Sequence, residues 1–269
     1  MPKYRDCLTR FLLEDAHVRG ALVRLDETWQ AIRARTEYPE VVADFLGQCC
    51  AASALFTASL KLEGRVSIQL RGESALRRVY AECQTDGNLR GIAHFDTPLP
   101  EQLPLSAFGP KAVLAITIEN NSAGRREPQR YQGMVGLQAD TLSGAFEDYF
   151  TQSEQLPTRL LLFTQGNQAA GLLIQQLPEA LASSEDWQRA QALFETLTAQ
   201  ELFSLEPNDV LYRLFHEESV RVLETQPLAF GCSCSRERVE STLVSLGQAE
   251  IEETIAETGG ISVHCDFCG

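Results

Sequence analysis

The sequence predicts an α+β protein built from an N-terminal antiparallel sheet packed with helices, an acidic helical linker and a small cysteine-bearing module at the C-terminus. Three observations predict this class. Short segments with period-two alternation, separated by turn residues, recur through the first two-thirds of the 269 residues. From residue 179 the spacing turns helical and acidic residues accumulate. The last forty residues carry two tight cysteine pairs on very few apolar side chains. The natural divisions are 1–178, 179–231 and 232–269.

Within 1–178, residues 7–25 alternate (Leu8, Arg10, Leu12, then Val18, Gly20, Leu22, Arg24), which predicts a hairpin turning at Glu14-Asp15-Ala16. Asp26 is placed to cap a short helix through Trp29 and Ile32. Pro39 suits the first position of a longer helix with Val42, Phe45, Leu46, Cys49, Cys50, Ser53 and Phe56 at helical spacing. Its small-residue run 49–54 favours close packing on a sheet. Strands follow at 65–71, at 79–84 and 89–94 around an Asp86-Gly87-Asn88 turn, at 112–118 and at 131–137. Residues 97–110, with four prolines, form a loop. Thr141 or Ser143 opens a helix through Phe146, Tyr149 and Phe150, and a last hairpin joins 158–164 to 171–176 around Gln165-Gly166-Asn167 before Pro178 closes the domain.

In the linker, Ser183 or Ser184 caps a helix with Trp187, Ala190, Phe194 and Leu197 on one face. Pro207 starts a second helix with Val210, Leu211, Leu214 and Phe215 as its stripe. Such a stripe must be buried on the first domain or on a partner. The segment holds 10 acidic and 3 basic residues, so like charges repel and the helices are marginal on their own.

The module reads as knuckle, helix 236–246 ended by Gly247, helix 249–257 ended by Gly259-Gly260, strand 261–263 and knuckle. The knuckles are Cys232-Ser-Cys234 and Cys265-Asp-Phe-Cys268. Pairs this close put both sulfurs on one side of a turn, and two such turns make a tetrahedral S₄ cage, the geometry Zn²⁺ prefers. Thiolate-only ligation also suits an Fe–S cluster. The other readings are a metal-free redox dithiol, two structural disulfides, or buried free thiols. Fewer than forty residues rarely fold on so few apolar side chains, whereas structural zinc contributes ~10–16 kcal/mol in small zinc peptides. The module is therefore expected to be a zinc-binding one, with one Zn²⁺ per chain on Cys232, Cys234, Cys265 and Cys268, folded with the metal and unfolded without it. Cys7, Cys49, Cys50 and Cys83 read as small core residues.

Net charge is −14, of which residues 179–269 carry −12. Binding to a phosphate backbone needs clustered basic residues, so nucleic acid is not an expected partner. No apolar run is long enough to span a membrane. No signal peptide is visible at Met1-Pro2-Lys3, which points to a cytoplasmic protein with reduced thiols. No Gly-rich phosphate loop is present, and His17, His94, His216 and His264 stand at no catalytic or ligand spacing. Neither ATP use nor enzymatic activity is expected.

Several stretches resemble the redox-regulated heat-shock protein 33 family, the 33 kDa chaperonins, over essentially the whole chain. They are Leu89-Arg-Gly-Ile-Ala93, Phe146-Glu-Asp-Tyr-Phe150 with Ser153-Glu-Gln155, Gly171-Leu-Leu-Ile-Gln-Gln-Leu-Pro178, Cys232-Ser-Cys-Ser-Arg-Glu-Arg238 and Cys265-Asp-Phe-Cys268. The resemblance implies an ATP-independent holdase for unfolding proteins, inactive when reduced and zinc-bound. It implies the four cysteines as zinc ligands, Cys232–Cys234 and Cys265–Cys268 as the switch disulfides, and a homodimer when oxidised. Two rival readings stand beside it. One is a thiol–disulfide oxidoreductase using Cys265 and Cys268, although that motif usually sits at a helix N-terminus within a βαβ unit. The other is a zinc-dependent adaptor.

Overall fold

The computed structural model describes residues 5–59, 63–99, 104–121, 129–178 and 184–269. The cap expected at Ser183 and the centre of the proline-rich loop lie outside them. The period-two segments form two sheets rather than one. β1 (Cys7–Leu13), β2 (Val18–Leu25), β8 (Thr158–Gln165), β9 (Gln168–Gln176) and β10 (Val220–Pro227) make the first, in the order β10-β1-β2-β9-β8. The second holds β3 (Gly64–Arg71), β4 (Leu76–Gln84), β5 (Asn88–Phe95), β6 (Val113–Asn120), β7 (Gln129–Gly136) and β11 (Ala229–Phe230), in the order β11-β5-β4-β3-β6-β7. Every pairing is antiparallel except β11 with β5.

The helix expected to lie on a sheet lies between both. α2 (Glu40–Thr57) touches β4, β5 and β3 on one side and β9, β8 and β2 on the other. It is apolar nearly all round, as a doubly covered helix must be. Leu46, Cys49, Cys50, Ala51, Ala52, Ala54 and Leu55 are all buried, and the small side chains let the two sheets approach it. Pro39 is its N-cap rather than its first residue, with the Pro39 carbonyl accepting from the Val42 and Ala43 amides.

α1 (Glu27–Arg33) is not capped by the Asp26 side chain, which instead accepts from Gln30 Nε2. The Asp6 carboxylate, twenty residues upstream, takes the amides of Asp26, Glu27 and Thr28 at 2.9–3.0 Å. Of the two candidates for the next helix, Thr141 is the cap: its Oγ1 accepts the Gly144 amide of α3 (Leu142–Tyr149).

The linker helices bury their stripes on the outer face of the first sheet. α4 (Ser184–Phe194), α5 (Ala199–Ser204) and α6 (Pro207–Phe215) set Ala190, Phe194, Leu202, Val210, Leu211, Leu214 and Phe215 against Phe11, Leu13, Val18, Leu22, Leu172 and Ile174. The first sheet is therefore covered on both faces. The linker is not helical throughout, however. Residues 220–230 form edge strands β10 on β1 and β11 on β5, so the chain bridges the two sheets before entering the module. An exposed edge strand bearing Arg221 and Glu224 has no buried face to imprint alternation on its sequence.

α7 (Arg236–Leu246) and α8 (Gln248–Thr258) form as expected, separated by Gly247. The strand expected at 261–263 does not form, since three residues with no neighbouring strand have no ladder to join.

Candidate metal and redox centre

The second sheet fixes where the first knuckle starts. The Ala229 amide donates to the Gly87 carbonyl at 3.1 Å and the Gly231 amide to the Leu89 carbonyl at 3.0 Å. A Cβ at Gly231 would stand 2.2 Å from Asn88 Oδ1, so only glycine allows the chain this close. Cys232 follows at once, on the rim of the sheet. Ser235 caps α7 by accepting the Arg238 amide at 3.2 Å, which turns the chain away after Cys234. At the far end, the Cys268 and Gly269 amides both donate to the Cys265 carbonyl, closing the second knuckle.

The four sulfurs converge. Cys232 Sγ lies 3.5 Å from Cys265 Sγ, Cys234 Sγ lies 3.2 Å from Cys268 Sγ, and all four fall within 4.8 Å of one another. A zinc tetrahedron with bonds of about 2.3 Å has sulfur–sulfur edges of about 3.8 Å, so the cluster is of the size such an ion needs. Among the described residues this is the one group of three or more cysteine, histidine or carboxylate side chains positioned to hold a metal ion. His264, beside Cys265, turns to Ser262 Oγ instead.

The surroundings of the sulfurs explain their charge. Partial burial alone would raise the Cys232 thiol, but the Cys234 amide and the neighbouring thiols bring it down to about 7. Hydrogen bonding with Cys234 and Cys265 pushes Cys268 up to about 12. The protons thus belong to the cluster rather than to single residues. A divalent cation at its centre would hold all four as thiolates. The other four cysteines are the opposite case. Cys7, Cys49, Cys50 and Cys83 are buried, and desolvation raises every one of them, Cys7 to about 11 and Cys83 to about 12.

No residue of 232–269 is buried, and Val244, Leu246, Ile255 and Val263 are each about half exposed or more. The module has no apolar core. Its contacts with the body are few and polar or aromatic; Arg90, Ser233 and Phe267 stand in stretches the sequence marks only for their resemblance, with no contact assigned to them. Arg90 of β5 donates to Ser233 Oγ at 3.0 Å and stands 4.4 Å over the Phe267 ring, and Tyr80 meets the same ring edge-on at 5.7 Å. Arg35 donates to the Cys268 carbonyl and stacks on Phe230. Strand alternation alone puts Arg90 on the face away from α2. Nothing local marks what covers it, because the partner lies more than 140 residues away.

An α+β body of two sheets about a buried helix, with a terminal four-cysteine module, defines the class of protein. The Hsp33 protein family model matches residues 6–269. The 33 kDa chaperonin of Vibrio parahaemolyticus is 41% identical over 266 residues, covering 97% of this chain and 90% of that relative. That of Nitrosococcus oceani is 42% identical over 264 residues, covering 98% and 89%. The crystal structure of the 33 kDa chaperonin (heat shock protein 33 homolog) from Thermotoga maritima superposes with a TM-score of 0.81 at 26% identity, covering 98% of this chain and 93% of that one. The chain belongs to the Hsp33 family, and its relatives are named as chaperonins. Its function is accordingly that of a chaperone, which binds unfolded client proteins.

Proposed function

We propose that the protein is a redox-regulated, ATP-independent holdase whose switch is the four-cysteine module. The single observation that carries this reading is a folded module with no buried residue gathered around four converging sulfurs. Cys232, Cys234, Cys265 and Cys268 are the proposed ligands of one Zn²⁺ per chain, which when bound would hold the sulfurs as thiolates and supply the cohesion that the module's side chains lack. The proposed units are the body 1–178, the linker 179–231 and the module 232–269.

The oxidant is a peroxide. A thiolate attacks one peroxide oxygen and displaces hydroxide, forming a sulfenic acid. A second thiolate attacks that sulfur and expels the oxygen as hydroxide, forming the disulfide. Two sulfurs lose two electrons in all, and the peroxide leaves as two waters after taking up two protons. The proposed disulfides are Cys232–Cys234 and Cys265–Cys268. Disulfide sulfur no longer ligates, so the module loses its fold and with it the anchorage of β11 and β10. The acidic linker helices then leave the first sheet, and Phe11, Leu13, Val18, Leu22, Leu172 and Ile174 become available to apolar segments of clients, together with the stripes of α4–α6. Like charge on the released linker keeps the complex soluble. The active form is proposed to be a cytoplasmic homodimer.

The test is suppression of thermal aggregation of an unfolding client, with reduced zinc-loaded protein compared to peroxide-treated protein and metal release followed with a zinc chromophore. Activity is expected only after treatment, with release of about one metal per chain and new hydrophobic-dye binding. Equal activity before and after treatment, or metal loss without dye binding, contradicts the switch.

A further inference from the structure

We infer that Arg90 is the positioning residue that reads the charge of the sulfur cluster, holding the reduced module against the second sheet and letting it go when the sulfurs are oxidised. This rests on the redox reading above and adds how the module is attached.

Arg90 is itself held from beneath. Directly across the strands from it lies Glu82, only 1% exposed, whose carboxylate takes the Tyr80 hydroxyl at 2.7 Å, Arg65 at 3.3 Å and Arg90 Nη2 at 3.1 Å. A carboxylate this buried keeps its cations because losing one leaves an uncompensated charge. The guanidinium is thereby fixed with its other edge facing the module. Nη1 reaches Ser233 Oγ at 3.0 Å and lies 3.9 Å from Cys232 Sγ, while the plane covers Phe267 at 4.4 Å. One side chain, 12% exposed, thus touches both knuckles at once.

Only part of this contact depends on the redox state. The cation–π contact with Phe267 and the bond to Ser233 involve no sulfur and answer to oxidation only as the module unfolds. The contact with Cys232 answers directly, since hydrogen bonds to an ionised acceptor are about twice as strong as neutral ones. When two thiolates become one disulfide, two negative charges disappear from the cluster, the two electrons passing to the peroxide. Arg90 then faces a neutral sulfur. Arg35 bonds the module only through the Cys268 carbonyl and stacks on Phe230 of the linker, and neither contact is to a sulfur. Arg90 is therefore the contact that makes docking, and not only folding, of the module depend on oxidation.

The experiment uses the full zinc-loaded chain and reads hydrogen exchange at residues 229–235, before and after peroxide, in the native protein, Arg90→Met, Arg90→Lys and Phe267→Leu. Arg90→Met keeps the aliphatic stem on Phe267 and removes the charge. It is expected to retain one metal per chain when reduced, to exchange about tenfold faster than the native protein in this segment, and to change less than the native protein on oxidation. Arg90→Lys is expected to recover part of the protection at low salt and lose it at high salt. Phe267→Leu acts from the module side without disturbing Glu82, and is expected to speed exchange in the reduced protein while reaching the same exchange as the native protein after oxidation. Native-like protection in reduced Arg90→Met, or loss of its metal before any oxidant is added, overturns the inference. Unchanged exchange in the native protein on oxidation overturns the redox reading itself, and this inference with it.

Discussion

Two populations of cysteine in one chain differ by what surrounds the sulfur. Cys7, Cys49, Cys50 and Cys83 lie in the core, where burial raises each thiol and outweighs the opposing pull of Arg24 and Thr9 on Cys7 and of Thr57 on Cys83. Cys232, Cys234, Cys265 and Cys268 lie at the surface around one centre. At neutral pH an alkylating reagent applied to metal-stripped native protein is therefore expected to modify four thiols, and the remaining four only after denaturation. Because burial pushes the Cys7 thiol up to about 11 and the Cys83 thiol up to about 12, raising the pH to 9 should not bring them into reach; their labelling at pH 9 without unfolding would contradict the assignment. A second residue acts on the linker. Arg24, 7% exposed, donates from Nη2 to the Leu202 carbonyl at 2.5 Å and to the Leu205 carbonyl, closing the C-terminal end of α5 onto the sheet. Arg24→Met leaves those carbonyls without their donor, at about 1–3 kcal/mol less the relief of no longer burying a cation. The reduced variant is expected to bind a hydrophobic dye before any oxidant is added, which a fluorescence titration measures.

The linker helices are the elements on which the proposed activity turns. Their stripe was legible in the sequence because Val210, Leu211, Leu214 and Phe215 keep helical spacing against a run of acids. What they cover was not, since the outer face of the first sheet is assembled from β1, β2 and β9, which are remote in sequence. β10 escaped for the reason given by its exposure, and the cap of α1 because Asp6 stands twenty residues from the amides it accepts. Phe215, fully buried with its ring 6.0 Å from that of Phe11, joins α6 to β1. Phe215→Ala removes that contact at a cost of about 3–5 kcal/mol. A linker already strained by like charge should respond by detaching, so reduced Phe215→Ala is expected to suppress client aggregation in part, while the unfolding of the body, followed through the near-ultraviolet signal of Trp29 in the core, moves little. No activity in the reduced variant would separate linker release from client binding.

Across the whole molecule, stability is unevenly distributed. The two sheets close around α2, the linker helices form a second apolar layer, and the module has no buried residue at all. The cysteine spacing made the candidate site readable at once, because tight turns and a shared centre are local and repeated features. The docking of that site through Arg90, Glu82 and Arg35 was not readable, because it depends on which strand edge the chain reaches after β10. The account's central claim is that the sulfur centre maintains the fold of the module and, through it, the seating of the linker. The most direct measurement is hydrogen exchange along the full chain at elevated temperature, with zinc-loaded reduced protein compared to protein stripped of metal with its thiols blocked. The account predicts that residues 236–258 and 184–215 lose protection together while strands β3 to β6 keep theirs. Retention of protection at 184–215 after the module has unfolded would contradict it.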